Sequence, residues 1–153
     1  MNDEKLTLYP PWKQALAELE LAGIEPGNTI EKQWLEERFG LKPALTIADA
    51  EKNRLLFRTL IWQLRNSLLH QHRLMLRAVG GVGYRVVEVE DQTSTALRDR
   101  GEAVTRELNK LMEEISYVRL EVLTDAGRKA NSDAIAKISS LQGMAIKKLG
   151  FRE

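Results

Sequence analysis

The chain has 153 residues, 43% of them hydrophobic and 29% charged, with a formal net charge of +1. That suits one domain, or one small domain with an appendage, and excludes general disorder. No apolar run approaches the ~20 residues that span a bilayer, and the acidic start Met1-Asn2-Asp3-Glu4 is unlike a signal peptide. The absence of cysteine excludes a disulfide framework, thiol catalysis and thiolate metal sites. A cytoplasmic protein of bacterial or phage type, with no membrane partner, is expected.

The near-neutral total hides an uneven distribution. Residues 1–40 carry a net charge of −4, residues 41–90 carry +4 together with both histidines, and residues 91–153 carry +1. A local basic face binds phosphates even when the whole protein is neutral.

Pro10-Pro11 opens a first helix to about Leu21, with Trp12, Leu16 and Leu19 at helical spacing and Gly23 as the stop. Pro26-Gly27 is a turn. Asn28, with Glu31 three residues later, reads as a capping box for a second helix ending at Gly40. Leu41-Lys42-Pro43 then breaks the chain. Thr46 and Asp49 open a long helix to about His70, whose stripe is Phe57, Leu60, Ile61, Leu64 and Leu68.

Arg73 to Val79 and Tyr84 to Val89 read as paired strands joined at Gly80-Gly81-Val82-Gly83. A helix over about 95–123 follows, with Leu97, Val104, Leu108, Leu111, Ile115, Val118 and Val122 as a heptad seam that Gly101 interrupts. Asp125-Ala126-Gly127 ends it, and Asn131-Ser132 starts a last helix of near 18 residues. The expected fold is mostly α with a small antiparallel β-hairpin. Residues 1–91 form one domain, and 92–153 form a C-terminal antiparallel helical hairpin.

The long third helix places Arg54, Arg58 and Arg65 within about 40° of one another, beside its apolar stripe. Such a row lies along a phosphate backbone or enters a major groove, with Gln63 and Asn66 as further polar contacts. Arg73, Arg77 and Arg85 sit on the hairpin, where alternation turns some of them outward. All six are expected to form one exposed basic surface. The glycines allow positive φ at a tight turn and close approach of the backbone to phosphate.

Leu60-Ile61-Trp62-Gln63-Leu64-Arg65-Asn66-Ser67-Leu68, followed by Leu76-Arg77-Ala78-Val79-Gly80-Gly81-Val82-Gly83-Tyr84-Arg85-Val86, resembles the recognition helix and wing of response-regulator winged-helix effector domains. The resemblance covers about a third of the chain. It implies a winged-helix domain whose helix enters the major groove while the hairpin touches the minor groove or backbone. It further implies that Arg58, Arg65 and Arg85 are the leading nucleic-acid contacts and that Tyr84 packs at the wing base.

Other chemistry has little support. His70 and His72 have no acidic or thiolate partners nearby in sequence, so no metal and no cofactor are expected. Glu36-Glu37 and Glu113-Glu114 are adjacent on helices, so each pair diverges. No Gly-x-Ser-x-Gly elbow and no phosphate loop with its lysine is present, and the chain is not expected to be an enzyme. Trp12, Trp34 and Trp62 read as core anchors. An 18-residue helix cannot cover a 29-residue seam, which leaves some of Leu97 to Leu108 to meet the front domain or a second copy, and Leu97, Val104, Leu108, Leu111, Ile115 and Val118 are the expected dimerisation residues.

Two functions emerge. One is a small DNA-binding regulator that docks its basic helix and wing on double-stranded DNA as a homodimer. The other is a phage-type inhibitor or adaptor that binds a protein partner through the same scaffold and the C-terminal helices.

Overall fold

The computed structural model describes residues 9–150, so the acidic start at Met1–Glu4 lies outside the described residues. The chain is mostly helical and divides into two compact units, one up to Glu90 and one from Asp91. The front unit runs α1 (Pro11–Leu21), β1 (Thr29–Glu31), α2 (Lys32–Arg38), α3 (Ile47–His72), β2 (Leu76–Val79) and β3 (Gly83–Val86). Its three strands form an antiparallel sheet in the order β1-β3-β2.

Local chemistry sets most of these boundaries. Pro11 occupies the first helical position of α1, where its missing N–H is not needed. Thr46 and Asp49 close a reciprocal box at the start of α3, as expected: Asp49 N–H donates to Thr46 Oγ1 at 3.1 Å, and Thr46 N–H donates to Asp49 Oδ2 at 3.0 Å. The Thr46 hydroxyl also donates to that carboxylate, and this bond does most to hold the Asp49 pKa below its ordinary value.

The expected box at Asn28 and Glu31 does not form. The Asn28 side chain instead accepts from the Glu25 backbone N–H at 2.8 Å, closing a turn, and residues 29–31 are a strand. Three residues with only the middle one buried are too short to show periodicity in sequence. The paired strands are also shorter than expected, four residues each, with Arg73 outside them.

The core of the front unit draws on every element. Leu16 and Leu19 of α1, Ile30 of β1, Leu35 of α2, Leu60, Ile61, Leu64 and Leu68 of α3, and Leu76 and Val86 of the hairpin are all buried together. Phe39, Phe57 and Tyr84 form an aromatic chain beside them, with ring centroids 5.5 and 6.4 Å apart. Trp12 and Trp34 pack partly buried against this core. Trp62 does not. It is 62% exposed, which corrects the expectation of a third core anchor.

Gly83 is demanded by packing. Its φ is +151°, and a Cβ there would collide with the backbone of Ile30 and Lys32. The close approach that this glycine permits is therefore to β1, its neighbour in the sheet. Gly81, with φ +74°, supplies the positive angle at the turn itself.

The second unit is a pair of helices, α4 (Gln92–Ser116) and α5 (Asp125–Leu149), 25 residues each. The expected boundaries shift here. Asp125-Ala126-Gly127 is the first turn of α5, where Thr124 Oγ1 accepts from Gly127 N–H at 3.1 Å. A short-range stop signal was in fact a start. The two helices have equal length, so the expected mismatch between a long and a short helix is absent. Val118 and Val122 lie beyond α4, Val122 in a single 3-10 turn, and leave the seam.

Candidate nucleic-acid interface

The third helix is amphipathic in a particular way. Its core stripe spans about 100° of the wheel, and Arg54, Arg58 and Arg65 follow along one edge of that stripe. All three are exposed. Arg54 makes a long ion pair with Glu51, 4.0 Å, between two well-exposed side chains, a contact too weak to hold either. Gln63 and Asn66 are half-buried.

Arg54 and Arg58 also line a groove of about 630 Å³ between α2 and the start of α3, together with Lys32 and Lys42 and with Glu36 and Glu37 opposite. Lys42 was not among the expected contacts. It lies in the Pro-broken connection, which α3 anchors when Asn53 Nδ2 donates to the Lys42 carbonyl at 2.7 Å. No periodic signal marks such a loop cation in sequence. The carboxylates of this groove are engaged locally: Glu36 pairs with Lys32 at 3.4 Å, and Glu37 accepts from Gln33 at 3.1 Å.

On the hairpin the register decides which side chains share a face. Leu76 pairs with Val86 and Ala78 with Tyr84, and this row includes the buried, core-facing side chains. Arg77 pairs with Arg85, and Thr29 flanks Arg85 from the other strand, so these three exposed residues form a row on the opposite face. Arg73 is the C-cap of α3 in the left-handed conformation, φ 57°, with its N–H bonded to the Leu69 carbonyl at 3.1 Å.

The six expected arginines are thus all exposed, and those on α3 and on the hairpin fall in two rows. Arg54, Arg58 and Arg65 follow one edge of the buried stripe of α3. Arg77 and Arg85 belong to the sheet face turned away from the side on which Phe57 of α3 stacks against Tyr84. Tyr84 is half-buried against the core, a packing position.

A second feature of α3 escaped sequence reasoning. Leu55, Trp62 and Leu69 recur every seven residues on the side opposite the core, and all three are exposed. Arg58, Thr59, Leu55 and Trp62 line a shallow groove there. The signal was present as a second apolar stripe, but Trp62 next to Ile61 in sequence reads as part of the first.

The histidine reading also changes. His72 Nε2 lies 2.8 Å from Glu20 Oε1 of α1, so a carboxylate does meet it across the fold. Among the described residues, no three histidine or carboxylate side chains gather as a metal-binding group, and no helix is long and apolar enough to cross a membrane.

Comparison with known protein families, with curated proteins and with solved structures finds no match for this chain.

Proposed function

We propose that the front unit is a winged-helix domain that binds double-stranded DNA, with α3 as the groove-reading helix and the β2–β3 hairpin as the wing. The observation that carries this reading is the exposure of every arginine in the two rows, Arg54, Arg58 and Arg65 on α3 and Arg77 and Arg85 on the ribbon. Two separate rows suit a duplex, which offers a groove and a neighbouring backbone as two targets. The element order, helix–strand–helix–helix–strand–strand, supports the same assignment. In this reading the helical unit joins two copies, so that the phosphate contacts of each basic face add. The protein is a regulator and not an enzyme.

Fluorescence anisotropy with a random duplex at two salt concentrations tests the proposal. Affinity is expected to fall steeply with salt, and Arg58→Ala with Arg65→Ala is expected to produce a loss of similar size and a shallower salt slope. An unbound duplex at low salt would refute it.

One observation favours a second reading, a protein partner. A groove-reading face is ordinarily polar, yet Leu55, Trp62 and Leu69 are exposed along the outer side of α3. In that case Trp62→Ser abolishes capture of a defined partner, while duplex binding is absent with and without the substitution.

A further inference from the structure

The second unit buries almost nothing. Of the apolar side chains below 9% exposure among the described residues, Ala145 alone belongs to α4 or α5. Leu108, Ile115, Ile135, Ile138 and Ile146 are half-buried, and other large ones are left at the surface. Leu97, Val104 and Leu111 of α4 recur every seven residues and are each 40–45% exposed, and Leu141 and Met144 of α5 are 45% and 43% exposed. Two helices whose large apolar side chains are at most half-buried gain little of the term that ordinarily holds a helical pair.

The geometry of this surface is specific. The helices are fastened to one another where Gln142 Nε2 donates to Asn109 Oδ1 at 2.8 Å, with Thr105, Leu108, Ala145 and Ile146 around that contact. On a 100° wheel, Leu97, Val104 and Leu111 lie about 90° to one side of the contact on α4. Leu141 lies about 90° to the same side on α5. In an antiparallel pair, that shared sense brings both ridges to one face of the hairpin. The result is half of a four-helix bundle.

We infer that this face is covered by a second copy of the chain, with α4 running antiparallel to α4 of the copy about a twofold axis at Val104. The inference rests on the self-association proposed above and adds its face, orientation and register. Two features of the sequence on this ridge select the arrangement. The apolar positions are symmetric about Val104, so Leu97 of each copy meets Leu111 of the other and Val104 meets its equivalent. The flanking charges are antisymmetric: Arg100 and Glu107 follow one edge of the ridge, both exposed. An antiparallel pairing places each Arg100 beside a Glu107, whereas a parallel one turns the same edge of the two copies to opposite faces and leaves these charges apart. The Glu107 carboxylate also accepts from Lys110 Nζ at 2.8 Å, which lowers its pKa. Stacking α4 on α5 of the copy is the competing bundle. The Asn109–Gln142 register puts Leu149, the last residue of α5, level with about residue 102 of α4, so Leu97 would remain uncovered.

The chain has no native cysteine, which allows a direct test. Sedimentation of the full chain at tens of micromolar is expected to show a dimer. Val104→Cys is expected to form a disulfide-linked dimer on oxidation. Leu97→Cys and Leu111→Cys are each expected to stay unlinked alone, yet to link when the two are mixed under reducing conditions and then oxidised. Arg100→Glu is expected to weaken the dimer about threefold to tenfold, and adding Glu107→Arg to it is expected to restore the affinity. A monomeric wild-type chain would overturn both the inference and the self-association beneath it. A dimer in which Leu97→Cys links to itself would overturn the antiparallel register alone, and a dimer in which no thiol pair links would overturn the face, each leaving self-association intact.

Discussion

The two units use similar residues to opposite ends. In the front unit, six elements of modest length surround a shared centre, and Leu35, Leu64, Leu68 and Val86 are fully enclosed. In the helical unit, two long helices carry just as regular an apolar pattern, yet their buried positions are Thr95, Gly101, Thr105 and Ala145. Regular spacing shows that a face is apolar, but it does not show what covers it. A layered fold buries its stripes within one chain, whereas two helices alone leave one side of each stripe open.

This contrast is sharpest at Gly83. Replacing it by valine adds atoms where the backbone of Ile30 and Lys32 already lies. The front unit is expected to lose its fold, read as missing near-UV ellipticity and a collapsed unfolding transition, while helical signal from α4 and α5 persists. If helical signal and the sheet vanish together, the two units are not separable. Next in size, Leu64→Ala empties a fully enclosed site and is expected to cost about 2–5 kcal/mol in urea titration, at a midpoint independent of protein concentration. A concentration-dependent midpoint for this variant would blur the distinction between the units.

Smaller effects test local chemistry on each side. Thr46→Ala removes the side-chain half of the α3 box and is expected to cost about 1 kcal/mol. Because the Asp49 pKa is lowered in the folded state, its contribution is present above the unfolded value and is lost as pH falls through the folded one. The difference between wild type and Thr46→Ala should therefore narrow in strong acid. In the helical unit, the Thr105 hydroxyl is buried without a hydrogen-bond partner. Thr105→Val keeps the shape and removes that group, so stability is expected to rise by about 1 kcal/mol. Smallest of all, Trp62→Ser is expected to change stability by less than about 0.5 kcal/mol, against the 3–5 kcal/mol typical of truncating a core tryptophan.

Signals confined to a few neighbouring residues were readable from sequence. Pro10-Pro11, the Thr46–Asp49 box and the glycine-rich hairpin each state their own conformation through steric or hydrogen-bonding rules. What failed needed information from afar. The strand at Thr29–Glu31 exists because β3 offers it a ladder, and nothing within three residues announces that. Gly127 looked like a terminator because glycine ends helices more often than it starts them, but Thr124 turned it into a first-turn donor. The arginines were correctly found exposed, yet strand register placed Arg77 and Arg85 on the far side of the sheet from α3. Register is a long-range property, since a shift of one residue exchanges the faces.

The way β1 clasps the hairpin has a dynamic corollary. Lys32, the first residue of α2, donates its N–H to Val82 in the turn at 3.0 Å, while Val86 donates to Asn28 and accepts from Gly27. The ribbon is consequently no free arm. Opening its tip strips a bond from the entry of α2, so amide exchange at Lys32 and Val86 should proceed as one cooperative event. Whatever molecule steadies that tip would slow deuterium uptake at both places together.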